Sequence, residues 1–250
     1  MFAKKKKSSV PAVRRLAGQS LREERDRAVN ENLPVIVFAP LMVWFVVLMK
    51  WLEQSHPPVG PRAWAMIAVV MTGIAVIAYL RMLPRARNLV RGEKGEMKVA
   101  EALEGLRSSG YHVYHDLVRD THNIDHVIVG PAGVFAIETK FRSGFGEIEF
   151  RNGAGLFVSG FPEEKYSLKQ ARHNAGDIGR MIKQDCGLDR WVTPLVVFVG
   201  DWKVKDNWQN TDARVFTTDG LADYVRRQQP DLTKREIELI ASHLERSAKC

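Results

Sequence analysis

The segment at residues 123–140 constrains the fold more than any other part of this sequence. Two runs rich in β-branched and apolar residues, at 124–129 and 134–139, flank the turn sequence Gly-Pro-Ala-Gly. Runs of this length around such a turn predict a β-hairpin. Both strands are mostly apolar, but acidic and basic side chains stand at the ends far from the turn. Those charged ends are therefore the part of the hairpin that indicates a function.

The register of the hairpin brings two carboxylates together. If Pro131 and Ala132 form the loop, Asp125 lies directly opposite Glu138 on the neighbouring strand. Opposed residues in an antiparallel pair have Cβ atoms about 5 Å apart on one face, so two carboxylates there repel each other. A hard divalent cation between them would offset this repulsion. Lys140 projects from the same face because it lies two residues after Glu138.

An Asp-Glu-Lys trio at a strand end has a second explanation. The trio is equally well explained as an ion cluster at the rim of the sheet, and no single motif decides between an ion cluster and a metal site. The order of several motifs along the chain favours the metal site. These motifs are Gly92-Glu-Lys-Gly95-Glu96, Asn123-Ile-Asp125-His126, Gly133-Val-Phe-Ala-Ile-Glu138-Thr-Lys140 and a helical glutamine, Gln170.

This ordered set resembles the nuclease-related domain, NERD, a family within the PD-(D/E)xK nuclease superfamily. The resemblance covers roughly residues 90–200, and it departs from the superfamily pattern in lacking a proline before Asp125. It implies an α/β fold like that of restriction endonucleases, in which a mixed sheet is flanked by helices. A predicted helix, antiparallel strands, and a further helix and strand follow one another in the order expected of that fold.

The resemblance also implies a Mg²⁺ or Mn²⁺ ion held by Asp125, Glu138 and the Thr139 carbonyl. Such ions prefer oxygen ligands and lower the pKa of a water molecule that attacks phosphorus. Lys140 is expected to orient that water or to neutralise charge that develops on the phosphate. The catalytic residues expected from the resemblance are Glu96, Asp125, Glu138, Lys140 and Gln170.

Two of these residues also have a simpler role. Glu96 shares the inward stripe of a predicted helix at 93–106 with Val99, and a carboxylate there also suits the free N–H groups of a first helical turn. Gln170 borders the apolar stripe of a predicted helix at 164–184, where it is an ordinary boundary residue in the alternative interpretation.

Other titratable residues near the hairpin are assigned structural roles. Glu93 lies off the inward stripe and is predicted to be a solvated acid, while Asp116 and Asp120 are predicted to be strand-end and turn residues. His126 faces away from Asp125 and is predicted to be a core or second-layer histidine. No zinc site is expected among the four histidines of this region, because no His-x-x-His or Cys-x-x-Cys arrangement joins them to other soft ligands. These are His112, His115, His122 and His126.

Two uncharged apolar runs, at 33–49 and 64–80, predict a pair of membrane-spanning helices. Lys and Arg are abundant before the first run and after the second, but the connection carries only Lys50 and Arg62. The positive-inside rule therefore places both termini in the cytoplasm. Buried core helices are the alternative. A cleaved signal peptide is disfavoured because the first run starts more than thirty residues in.

The sequence thus divides into a basic cytoplasmic tail (1–32), two membrane helices (about 33–51 and 64–83), a basic linker (84–91) and a cytoplasmic nuclease-like domain (92–250). Residues 1–91 hold 15 Lys and Arg against 5 Asp and Glu, whereas residues 92–250 hold 22 against 24. The overall net charge of +8 therefore belongs to the anchor and does not indicate nucleic-acid binding. A local basic face remains open, composed of Lys140, Arg142, Arg151, Lys165, Lys169 and Arg172.

The function expected from these features is that of a nuclease anchored in the inner or plasma membrane, dependent on a divalent metal and acting on DNA or RNA. Its expected partners are nucleic acid, with DNA favoured, and the lipid bilayer; a homo-oligomer is left open. The alternative is a non-catalytic, membrane-tethered module that binds or senses nucleic acid. A transport protein is disfavoured because neither apolar run contains a charge that would form a pathway.

Overall fold

A computed structural model of the chain describes residues 15–52, 61–119, 122–151, 155–163, 166–205 and 211–247. The chain divides into two compact units. One unit is Leu21–Arg91, and the other combines Met1–Ser20 with Gly92–Cys250. Asp120, Lys165 and residues 1–14 of the predicted basic tail lie outside the described residues.

Two long helices, α1 (Gln19–Leu52) and α2 (Pro61–Glu104), supply the whole described part of the first unit. Each contains a stretch that is long and apolar enough to cross a membrane. In the most apolar stretch of α1 no residue is buried, and in the most apolar stretch of α2 only 6% of the residues are buried. Trp44 Nε1 of α1 donates a hydrogen bond to Thr72 Oγ1 of α2 at 3.0 Å. The two helices are therefore candidate membrane spans.

Both helices extend beyond the boundaries expected from the sequence. α1 continues through Pro34 and Pro40, so the end of the predicted tail and the first span form one helix. α2 continues through Pro84, and the predicted basic linker at 84–91 is helical. A proline removes one backbone hydrogen bond and need not end a long helix, which is why the composition of these segments misplaces the boundaries.

The second unit is built on one mixed sheet of seven described strands. Strands β1, β2 and β3 pair antiparallel, whereas β6 pairs parallel with both β3 and β7. β4 pairs with the far half of the long strand β3, and β5 pairs with β4. The strands are β1 (His112–Val118), β2 (Asn123–Gly130), β3 (Gly133–Arg151), β4 (Gly155–Val158), β5 (Phe161–Pro162), β6 (Val192–Val204) and β7 (Arg214–Thr217).

Helices cover both faces of this sheet. The remaining helices are α3 (Ser167–Cys186), α4 (Thr218–Arg227) and α5 (Lys234–Ser247), with a short 3-10 helix at Arg107–Ser109. One apolar cluster packs Ile178 of α3 and Ile240 of α5 against one face of the sheet. A second cluster packs Leu103 of α2 and Leu221 of α4 against the other face. The predicted α/β class, a mixed sheet flanked by helices and preceded by two long apolar helices, is confirmed.

The hairpin of β2 and β3 has the predicted register. Gly130 pairs with Gly133, and the pairing continues to His126 and Ile137. There it ends, one position before Asp125 and Glu138, and β3 continues alongside β6. The two carboxylates therefore lie just beyond the last ladder pair rather than within it.

The inward stripe of α2 can be tested at Leu103, which is fully buried beside Val99. We expect Leu103→Ala to lower the free energy of unfolding by about 2–5 kcal/mol, because it removes buried methyl groups and leaves a cavity. Met97 is 49% exposed on the same helix, so Met97→Ala should change the free energy of unfolding by less than about 0.5 kcal/mol. Denaturant unfolding of the full chain in detergent micelles measures both, and equal effects would contradict the assigned stripe.

Candidate active site

Glu138 lies at the centre of the candidate site, and each of its carboxylate oxygens has its own donor. Its side chain is 2% exposed. Lys140 Nζ lies 2.6 Å from Glu138 Oε1, and Asn174 Nδ2 donates to Glu138 Oε2 at 2.9 Å. Lys140 Nζ also donates to Gln170 Oε1 at 2.9 Å. The structure thus brings Glu138, Lys140 and Gln170 together, with Lys140 on the expected face of the strand.

The alternation of β3 and the turn of α3 produce this arrangement. Val134 and Ala136 of β3 pack on α3 in the first apolar cluster, and Glu138 is the next residue on that face. Gln170 and Asn174 lie four residues apart on α3 and therefore share one side of the helix. The sequence analysis missed Asn174, although its spacing from Gln170 was a signal that could have identified it.

Asp125 is held at the same end of the hairpin by a backbone contact. Its Oδ2 accepts a hydrogen bond from the Thr139 amide at 2.7 Å. Burial raises the pKa of Asp125 well above its usual range, and the nearby carboxylates of Glu138 and Glu96 raise it further. Burial also raises the pKa of Glu138, against the opposing effects of Lys140 and Asn174. Both acids are therefore poorly compensated when they are ionised.

Glu96 belongs to the same electrostatic cluster. It is 6% exposed, and its Oε2 accepts a hydrogen bond from the Gly18 amide at 2.9 Å. Burial raises its pKa to about 7, the Gly18 amide partly offsets this, and the carboxylates of Asp116 and Glu138 add to it. The alternative role at a first helical turn is wrong, because α2 begins at Pro61 and the amides near Glu96 lie in the middle of a helix.

An N-terminal strap, residues 15–20, packs on this part of the domain. Asp116 is 1% exposed; its carboxylate accepts hydrogen bonds from the Ser20 amide at 2.8 Å and the Ser20 hydroxyl at 2.6 Å. Arg15 Nε lies 2.8 Å from the same carboxylate. Gly18 has φ +71°, and a Cβ there would lie 3.0 Å from the Glu93 side chain. Asp116 is therefore a buried anchor for the strap and not an ordinary strand-end or turn residue.

The prediction for Glu93 is also wrong. Glu93 is only 8% exposed, whereas the sequence predicted a solvated acid. The strap explains the difference, because Gly18 packs directly against Glu93. Contacts between segments more than seventy residues apart leave no periodic signal in the sequence.

The oxygen atoms of the site fit a hard divalent cation. Glu96 and Glu138 are buried and Asp125 is partly buried, and all three acids have raised pKa values. Among the described residues, the buried atoms Thr139 Oγ1 and Asn174 Oδ1 have no hydrogen-bond partner. Oxygen-only ligands with excess negative charge match Mg²⁺ or Mn²⁺ better than softer metals.

The residues assigned to a local basic face are largely engaged in ion pairs. Arg142 contacts Glu163 at 3.3 Å, and Arg172 contacts Asp212 at 2.7 Å. Arg151 pairs with Glu149. These pairs neutralise much of the positive charge that the sequence placed near the site.

His126 is a core histidine, as predicted. It is fully buried, and its Nδ1 lies 2.9 Å from Nδ1 of His115. Burial lowers the pKa of His126 well below its usual range, and the neighbouring His115 ring adds to this. The histidine is therefore neutral in the folded domain and contributes no charge to the candidate site.

The raised pKa of Glu96 predicts a pH-dependent stability. The pKa is 4.5 for the free side chain and about 7 in the folded chain. Between these values the folded state holds more protons on Glu96 than the unfolded state, so its contribution to stability falls as pH rises. Across this pH range the free energy of unfolding should fall by about 3 kcal/mol because of Glu96. The substitution Glu96→Gln should remove this pH dependence.

The measurement is chemical unfolding of the full chain in micelles between pH 4.5 and 8, without divalent ions. Glu101→Gln is the matched control, since Glu101 is an exposed acid on the same helix. A Glu96→Gln profile parallel to that of the wild type would contradict the role assigned to Glu96.

Comparisons with known proteins give one matching family and one similar protein. Residues 91–199 match the family model of the nuclease-related domain, and this range contains every predicted site residue. An uncharacterized protein of Bacillus anthracis is 31% identical over 88 residues, which are 33% of this chain and 41% of that protein. The chain therefore spans less than half the length of this relative. No solved structure matches the chain. Residues 91–199 are therefore similar to the nuclease-related domain, and the two long apolar helices of the chain are candidate membrane spans.

Proposed function

We propose that this chain is a membrane-anchored nuclease that uses Mg²⁺ or Mn²⁺ to hydrolyse phosphodiester bonds of DNA or RNA. The observation that carries the proposal is the group of three acids beside Lys140, in which Glu96 and Glu138 are buried and Asp125 is partly buried. Burial raises the pKa of each acid, so ionising them together calls for a positive charge that one ammonium does not supply. The match to the nuclease-related domain supports the same conclusion.

The residues of the site have distinct roles in this proposal. Asp125, Glu138 and the Thr139 carbonyl would hold the cation, which supplies Lewis acidity toward a phosphate oxygen and lowers the pKa of attacking water. Glu138 and Gln170 aim the Lys140 ammonium, which then donates to a phosphate oxygen as negative charge develops. Glu96 adds a third carboxylate to the cluster.

Asn174 is a positioning residue in this scheme. Its Nδ2 fixes the orientation of the Glu138 carboxylate by binding Oε2. Partners of this kind orient metal ligands, and their loss typically weakens metal affinity by a factor of about 10–100.

Membrane anchoring is supported by the apolar surfaces of α1 and α2. Their most apolar windows are almost wholly unburied, and apolar patches of this size on a protein mark a surface that is covered by something else. The distribution of Lys and Arg around the two helices supports an orientation with both termini and the nuclease-related domain in the cytoplasm.

A non-catalytic binding or sensing module is the competing function. Residues 92–250 hold 22 Lys and Arg against 24 Asp and Glu, and Arg142, Arg151 and Arg172 are ion-paired. This charge balance provides little electrostatic attraction for a polyanion. Cation binding without cleavage would favour this function.

The decisive experiment incubates the full chain in micelles with supercoiled plasmid, linear duplex, single-stranded DNA and RNA. We expect cleavage with Mg²⁺ or Mn²⁺ and none with a chelator. Asp125→Asn and Glu138→Gln should each reduce the rate by at least about a hundredfold. Glu101→Gln should cleave like the wild type. Cleavage that survives in the double variant Asp125→Ala, Glu138→Ala would refute this site.

A second prediction separates the positioning residue from the ligands. Asn174→Ala should weaken Mn²⁺ binding about 10–100-fold in calorimetry. Gln184→Ala, at an exposed position on the same helix, is the matched control and should bind Mn²⁺ normally. Circular dichroism of both variants checks that α3 is intact. Unchanged affinity in a folded Asn174→Ala protein would show that its contact with Glu138 does not serve metal binding.

A further inference from the structure

We propose that His122, His173 and Asp177 form a second metal site, suited to Zn²⁺ and separate from the carboxylate cluster. His122 directly precedes β2, whereas His173 and Asp177 lie one turn apart on α3. The sequence analysis expected no zinc site because it compared histidines by their spacing along the chain. In the fold, the histidine before β2 meets ligands from α3 instead of its neighbours in sequence.

The distances between the three side chains are close to those of a tetrahedral site. Asp177 Oδ2 lies 3.2 Å from His122 Nε2 and 3.7 Å from His173 Nε2. Zinc bonds to nitrogen and oxygen of about 2.0–2.1 Å place tetrahedral ligand atoms roughly 3.4 Å apart. One ligand atom from each of the three residues lies within 4.8 Å of the others. Small rotations of the rings therefore suffice to surround an ion.

The chemistry of these ligands differs from that of the carboxylate cluster. Two imidazole nitrogens and one carboxylate favour Zn²⁺ and related transition metals over Mg²⁺ or Ca²⁺. Asp177 Oδ1 contacts Arg180, which orients the carboxylate so that Oδ2 faces both histidines. The His173 side chain is 58% exposed, so the site is open to a fourth ligand such as water.

A metal here would clasp the start of β2 to α3. His122 lies three residues before Asp125, and His173 lies between Gln170 and Asn174. The clasp would therefore fix the strand that carries one active-site acid against the helix that positions Glu138 and Lys140. The site does not depend on the proposed nuclease activity, because its ligands and its test are separate.

The test is a titration of the full chain, without a histidine tag and stripped by chelator, with Zn²⁺ in excess Mg²⁺. We expect one high-affinity ion per chain in calorimetry, a raised Tm, and intense tetrahedral absorption when Co²⁺ replaces Zn²⁺. His173→Ala should weaken binding at least about tenfold and abolish the Co²⁺ spectrum. Because His173 is mostly exposed, this variant should still fold.

Two further variants identify where the ion binds. His243→Ala alters a histidine on α5 and should bind Zn²⁺ like the wild type. The double variant Asp125→Asn, Glu138→Gln should also retain the ion. Zinc binding that is lost in this double variant but kept in His173→Ala would place the ion at the carboxylate cluster and overturn the proposal. Absence of binding in the wild type would overturn it as well.

Discussion

Glu138 connects strand β3 to helix α3, because the two oxygens of its carboxylate bind different partners. Lys140 of its own strand contacts Oε1, and Asn174 of α3 donates to Oε2. The Asn174 contact is buried and the Lys140 contact is partly buried, and away from water hydrogen bonds to charged groups are stronger and an unmatched charge is more costly. The positions of Lys140 and Gln170 follow from this arrangement, since the ammonium must reach both Glu138 and the glutamine. The site is thus organised around an acid that the surrounding groups only partly neutralise.

The other acids extend the same imbalance toward the N-terminal strap. The Glu96 carboxylate accepts a hydrogen bond from the Gly18 amide, and the Asp116 carboxylate accepts hydrogen bonds from the amide and the hydroxyl of Ser20. Carboxylates that would otherwise repel each other are thereby used to dock a segment from the start of the chain. Helix α3 has a comparable double use, with Gln170 and Asn174 facing the carboxylate cluster and its His173 and Asp177 facing His122. One helix therefore connects the candidate active site with the proposed zinc site.

Much of the fold was predictable because it rests on local patterns. The loop length and the two-residue period of a strand set the β2–β3 register as far as His126 and Ile137. The apolar stripe of α2 placed Glu96 inside the domain. Predictions that relied on boundaries were weaker. Composition changes at Pro34 and Pro84, but the helices continue through both residues, because the other backbone hydrogen bonds of a long helix outweigh one missing donor.

Local sequence patterns are enough to predict the order of the elements, the hairpin register and the face of β3 that carries Glu138 and Lys140. These features depend on periodicity and turn geometry over a few residues. The contact of Asn174 with Glu138, the packing of the strap on Glu93 and the approach of His122 to α3 depend on how the whole domain folds. Such contacts join segments that lie tens of residues apart, and the free energy that selects them comes from burial of the whole domain. No local pattern records which distant side chains will meet.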